Sequence, residues 1–413
     1  MLNRRHLLCC GAAAGLFTAL TASASPSLSA LSPGRATRHA PWPPEVQALL
    51  DRCWADLDAT QLWDVHTHLL GTGDSGSGCT VNATLDQWWH PVEMLRKRFI
   101  LKAAHVAPDA PSVDLAYVAR LRALAEAFPT GARWMLFAFD HACDAQGQPV
   151  PAHTTFHVPD RYAAHVAAQA PQRFAWVASI HPHRPDALAR LDAALAGGAV
   201  ALKWLPSSMA IDLRDPRLRP FYARLAEARL PVIVHCGEER AVPGARREDL
   251  GNPLLVRAPL EQGVRLVVAH CASLGTALDL DRPRPRHVPA FSLFARLMDE
   301  GWGDQLMGDL SVVLQTNRHP DVGRTLLTRD DWHPRLLHGS DYPLPGIAAA
   351  VRLPTLVRAG LLDAADVAPL DALRARNPLL FDLALKRVAR WRGATFSPTV
   401  FATRPHFERA SVA

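Results

Sequence analysis

The chain has 413 residues, a length that suits two or three average domains or one large barrel. With 49% hydrophobic and 20% charged residues it can bury a large core, which excludes disordered and fibrous classes. Against 39 Asp and Glu stand 45 Lys and Arg, a formal charge of +6 spread without long basic blocks, so no nucleic-acid partner is expected.

Residues 1–24 read as an export signal. Arg4 and Arg5 precede an apolar stretch, and Ala22-Ser23-Ala24 offers a small-residue cleavage site. That stretch is shorter than the roughly 20 residues needed to cross a bilayer, so no stable membrane anchor is expected. Paired arginines before a modest apolar stretch resemble twin-arginine signals, and a periplasmic or otherwise exported location follows. Residues 25–58 read as a linker and N-terminal segment, rich in Ser, Pro and Ala as far as about Pro44. Beyond the signal stand Cys53, Cys79, Cys143, Cys236 and Cys271. Their spacing indicates neither a disulfide framework nor a cysteine-based zinc site, and it leaves a single bridge open.

From about residue 59 short apolar runs alternate with longer amphipathic ones, the pattern of successive βα units. Strands are expected at 61–65, 133–139, 174–180, 200–204, 232–235, 264–270, 307–310 and 336–339. Helices are expected at 118–128, 185–196, 218–228, 253–262, 291–301 and 364–389. Eight parallel strands with following helices make an α/β fold, a (β/α)8 TIM barrel, here one catalytic domain with long loops over 59–390. The rival is a doubly wound sheet. Its first turn would carry a glycine-rich phosphate loop, whereas this first strand ends in His66-Thr67-His68, and no P-loop lysine follows Gly71, Gly73, Gly76 and Gly78. Residues 391–413 follow the last helix as a tail without a clear period.

In a strand, residues i and i+2 point to one face, so His66 and His68 project together and can grip one metal. Asp64, in the same phase, is a candidate supporting partner or a structural hydrogen-bonding group. Further on, Lys203, His235, His270, Asp309 and Asp341 each close an apolar run, and each is separated from the next by about one βα unit. Each is therefore expected at the C-terminal rim of a consecutive strand, where barrel enzymes keep their chemistry. Burying such groups without partners costs several kcal/mol, so pairing or metal binding is expected.

These segments are Ala201-Leu202-Lys203-Trp204, Val234-His235-Cys236-Gly237, Ala269-His270-Cys271 and Gly339-Ser340-Asp341-Tyr342-Pro343. Together with the opening HxH they resemble the amidohydrolase superfamily over about residues 62–385. The likeness is to the amidohydrolase-related group that includes aminocarboxymuconate semialdehyde decarboxylase, lactonases and hydrolases. The resemblance implies that His66, His68, His235 and Asp341 hold a divalent metal, usually zinc, with manganese, iron or cobalt also suited to these donors. It implies that His270 polarises substrate, or binds a second ion in two-metal members. Lys203 matches the lysine that is carboxylated and bridges two ions; a substrate-carboxylate clamp or buried ion pair is the equal alternative.

The implied reaction is attack of metal-activated water on the carbonyl of an amide, ester or lactone in a small-molecule substrate. Asp341 would take and return the proton while His270 meets the developing oxyanion. A non-oxidative decarboxylase with the same site is the alternative, although Lys203 is atypical of that branch. A periplasmic binding protein that has lost catalysis is a further reading, and family members often pair as homodimers. Among lesser candidates, His181 and His183 read as surface positions and His141 as a pocket residue. Asp309 reads as a structural cap or ligand support, and Glu238 and Glu239 as loop acids facing substrate or solvent. Cys236 and Cys271 follow expected site histidines and read as buried, inert thiols.

Overall fold

A computed structural model describes residues 41–87 and 89–408. The expected export signal lies outside these residues. Among them no helix is long and apolar enough to cross a membrane.

Eight short runs rich in Val, Ile, Leu and aromatic residues form one parallel sheet. They are β1 (Trp63–His68), β2 (Arg133–Phe137), β3 (Phe174–Ala178), β4 (Ala201–Trp204), β5 (Val232–His235), β6 (Leu266–Ala269), β7 (Leu306–Asp309) and β8 (Leu336–Leu337), paired in that order. β8 returns to β1: the Val65 amide donates to the His338 carbonyl (3.1 Å), the Asp341 amide to that of His66 (2.7 Å) and the His68 amide to that of Tyr342 (3.0 Å). The sheet thus closes as a (β/α)8 barrel. β3 to β8 are buried along their whole length, as expected of strands covered on both faces.

The interior is filled by Trp63 and Val65 of β1, Met135 and Phe137 of β2, Val177, Ile233, Val267, Ala269, Met307 and Leu337. One irregularity matters for the site. Pairing of β1 with β2 slips between Asp64 and Thr67, so that Asp64 lies opposite Trp134 but His68 opposite Phe137. One extra residue in β1 reverses its phase, and His66 and His68 join the interior face that Trp63 and Val65 occupy below. Asp64 therefore does not share the histidines' face. Its Oδ1 accepts the amides of His66 (3.1 Å) and Ser340 (2.8 Å), joining β1 to the loop after β8.

The expected helix over 364–389 is two helices, Val367–Arg376 and Pro378–Val388, because Pro378 cannot continue the first and instead starts the second. Asn377 caps that start, its side chain accepting from the amides of Leu379 and Leu380. Helices not expected from the sequence, at Pro44–Trp54, Pro91–Ala103 and Pro320–Thr328, also carry proline in their first turn. At each of these places proline starts the helix.

The segment after residue 390 folds onto the barrel. The Val400 carbonyl accepts the His338 amide (2.9 Å), and Phe407 is buried in the barrel's interior cluster. Thr403 Oγ1 accepts the Trp63 amide (2.8 Å) and donates to the Trp63 carbonyl. Both Trp63 groups are buried, and Thr403 is fully enclosed. Thr403→Val keeps the shape and strands both, so a loss of about 2–3 kcal/mol is expected. Denaturant unfolding should show that loss with a smaller one for Thr403→Ser, while metal content, read at the opposite mouth, stays unchanged.

Candidate metal centre

The C-terminal ends of β1 and β8 meet, and there His66, His68 and Asp341 offer ligand atoms that all lie within 4.8 Å of one another. Asp341 Oδ1 is 3.0 Å from His68 Nε2 and 3.5 Å from His66 Nε2. Asp341 sits at a positive φ of 59°, and His270, Cys271 and Ala272 after β6 are also left-handed. Non-glycine residues in that region carry strain, and such strain clusters at functional sites.

His66 and His235 are each steered by the Nδ1 nitrogen. His66 Nδ1 lies 2.9 Å from Asp309 Oδ2 and 3.2 Å from Ser311 Oγ. Asp309 Oδ1 accepts the amides of His270 (2.9 Å) and Ser311 (3.0 Å) and the Ser311 hydroxyl. His235 Nδ1 is 3.2 Å from Glu239 Oε2 and 3.1 Å from His270 Nε2. His270 in turn stacks on His66, ring centroids 6.0 Å apart. His235 thus stands beside the tight trio, through His270, and not inside it.

Burial holds these rings neutral. It lowers the His66 pKa, with help from Lys203, brings His235 down to about 4, and puts His270 well below the ordinary histidine range. Neutral imidazole is the ligating form. For Asp341 burial favours the neutral acid, yet His66, His68 and Lys203 together hold its carboxyl below the usual carboxylate range. The same opposition, won by His66, keeps Asp309 ionised.

The orphaned atoms test whether these residues fit an ion. His235 Nε2 and His270 Nδ1 are buried without a hydrogen-bond partner. The His235 tautomer that frees Nε2 to ligate puts its proton on Nδ1, between Glu239 and His270. With acidic partners on His66 and His235 and a carboxylate among the donors, the set fits a divalent metal with oriented histidines.

Lys203 is 1% exposed, with its ammonium 4.9 Å from the centre of the Phe137 ring. Burial lowers its pKa, opposed by Asp309, Asp341 and Glu239. Several lesser expectations change. His181 is fully buried instead of on the surface: Nε2 meets the Met209 carbonyl (2.9 Å), and Nδ1 accepts the His183 amide (3.3 Å). His141 lines a cavity of about 560 Å³ with Arg184, Arg190 and Trp176, on the flank of the barrel, where it stacks on His157. That cavity includes none of the trio. Of the two loop acids only Glu239 reaches the centre; Glu238 pairs with Arg240. All five described thiols are buried and free.

A closed barrel with a histidine and carboxylate cluster at its C-terminal mouth is the build of a metal-dependent barrel enzyme. The chain belongs to the amidohydrolase family, whose sequence model matches residues 63–376. Among solved structures, an uncharacterised TIM-barrel protein from Bordetella bronchiseptica is 17% identical, with a TM-score of 0.47 over 78% of this chain and 99% of that one. A 2,6-dihydroxybenzoate decarboxylase from Rhizobium is 15% identical, with a TM-score of 0.40 over 84% and 97%. A 4-oxalomesaconate hydratase from Rhodopseudomonas palustris is 14% identical, with a TM-score of 0.41 over 84% and 95%. No curated protein sequence matches the chain.

Two outcomes follow, one from the site's electrostatics and one from a buried histidine outside it. Asp309→Asn removes the charge that orients His66, and metal affinity measured by chelator competition should fall by roughly 10–100-fold. The second concerns pH. His181 has its pKa lowered to about 4 by burial. Below about pH 6.5 the unfolded chain takes up a proton that the folded one refuses, so stability is lost as pH falls from about 6.5 to about 4. A single such group is worth about 3 kcal/mol across that window. Unfolding of metal-free protein at several pH values should show a shallower decline for His181→Gln than for the natural chain.

Proposed function

We propose that this mouth is the centre of an exported, metal-dependent hydrolase that cleaves an amide, ester or lactone in a small molecule. The observation that carries the reading is the convergence of His66, His68 and an ionised Asp341, with neutral His235 and His270 beside them. Zinc is the metal best matched to three imidazoles and a carboxylate, and it would supply an acidified water and a Lewis-acid contact for the carbonyl.

The chain's own groups supply the rest. Asp341 takes the proton of the attacking water and returns it to the leaving group. A carboxylate held below its usual range is a weak base, so it needs a water that the ion has made acidic, and the two act together. His270 carries its proton on Nδ1 when Nε2 accepts from His235, and that N–H has no protein partner. It is therefore a donor for the developing oxyanion. Lys203 would support one ion as a buried cation or two as a carboxylated bridge.

Asp341→Asn should lower turnover by at least about 10³-fold, the scale of losing a general base together with a metal contact. Products formed in ¹⁸O-labelled water should carry the label. Release of CO₂ from the substrate, with a product free of label, would replace hydrolysis with decarboxylation. Elemental analysis should find about one ion per chain; a ratio near two would assign Lys203 as the bridge.

A further inference from the structure

The loop after β7 carries a cation that the centre described above does not use. Arg318 follows a buried run of Leu310, Val312, Val313, Leu314 and Gln315. The backbone of that run is pinned: Gln315 donates to the Val312 carbonyl (3.0 Å), Thr316 to that of Ala350 (2.8 Å) and Arg318 to that of Gln315 (3.0 Å). Arg318 is thus presented by a fixed turn at the same rim as Asp309.

Its guanidinium is close enough to Asp341, Glu239 and His270 to interact with all three. Yet Nε and Nη1 are buried and donate to nothing. Other arginines with a buried, unpaired Nε use their terminal nitrogens: Arg120 on the Arg376 carbonyl, Arg133 on those of Pro171 and Phe174, and Arg324 on Asp321 and Ala359. Arg257, by contrast, is shared between Asp281 and Glu300. Burial pulls Arg318 down to about 10, opposed by Asp341 and Glu239, which leaves it charged at neutral pH. Arg318 as a residue is only half-buried, but its two buried nitrogens have lost water without gaining a partner, a cost that a bound anion removes.

We propose that Arg318 anchors a carboxylate group of the substrate and so sets the enzyme's preference for acids whose carbonyl is then held over Asp341. The proposal rests on the reading of this mouth as the hydrolytic centre. A single negative charge suits the place better than a phosphate dianion, because Asp309, Asp341 and Glu239 already crowd the mouth with negative charge. Lys203, the other cation, is sealed below and packs on Phe137. The clamp that the sequence left open for Lys203 thus passes to Arg318.

Benzoate and benzamide share a shape and differ in charge, and calorimetry on the full chain, with and without its metal, measures both. Benzoate should bind the metal-free protein at least tenfold more tightly than benzamide. Arg318→Met should abolish that preference, Arg318→Lys should keep part of it, and the metal content of both variants should match the natural chain. Benzoate binding unchanged in Arg318→Met, absent from the metal-free protein, or no tighter than that of benzamide would overturn the assignment. So would inorganic phosphate binding more tightly than benzoate through Arg318. A chain that binds no metal but discriminates benzoate through Arg318 would overturn the hydrolytic reading and leave the anchor standing.

Discussion

One carboxylate holds the mouth of this barrel together. Asp309 is fully buried, and its two oxygens meet the His66 ring, the His270 amide, and the amide and hydroxyl of Ser311. These donors come from the ends of β1, β6 and β7, so a single anion fixes the relative positions of three strand ends. A charge removed from water to this degree is tolerated only when its lone pairs are filled, and here they are. The left-handed His270 gives its amide to Asp309, and the same carboxylate meets the His66 ring.

The second constraint is closure. β8 is only two residues long and cannot seal the barrel by its own ladder. The loop that follows does the sealing, with Asp64 accepting the Ser340 amide and Lys386, buried and paired with Asp382, donating to the Gly339 carbonyl (2.6 Å). Gly339 has to be glycine for a steric reason, since a Cβ there would sit 2.8 Å from His66 Cβ. The close approach that carries Asp341 onto His66 and His68 therefore depends on a missing side chain.

The strands were legible in the sequence because fully buried parallel strands leave short Val, Ile and Leu runs, and a polar residue at the end of each marks the rim. That is why His66, His68, Lys203, His235, His270 and Asp341 can all be found without coordinates. The phase of β1 was not legible. A one-residue bulge has no composition of its own, so Asp64 was put on the wrong face. Asp309 could be read from the sequence as a ligand support, but the roles of Glu239 and Arg318 could not, because an acid or arginine in a loop looks the same whether it turns inward or out to solvent. His181 was misplaced for a related reason: a loop histidine beside proline suggests surface, whereas both its ring nitrogens are met by backbone inside the protein.

The joint between Trp63 and Thr403 links positions 340 apart in sequence. A ribosome that has delivered the first seven strands has made an open ring whose opening strand still has one unpaired edge, the kind of surface that invites aggregation. Ring closure waits for β8 and the loop after it, and the joint at Thr403 forms later still. The order of synthesis thus leaves the free edge of the opening strand uncovered until the last strand and the segment behind it have been made.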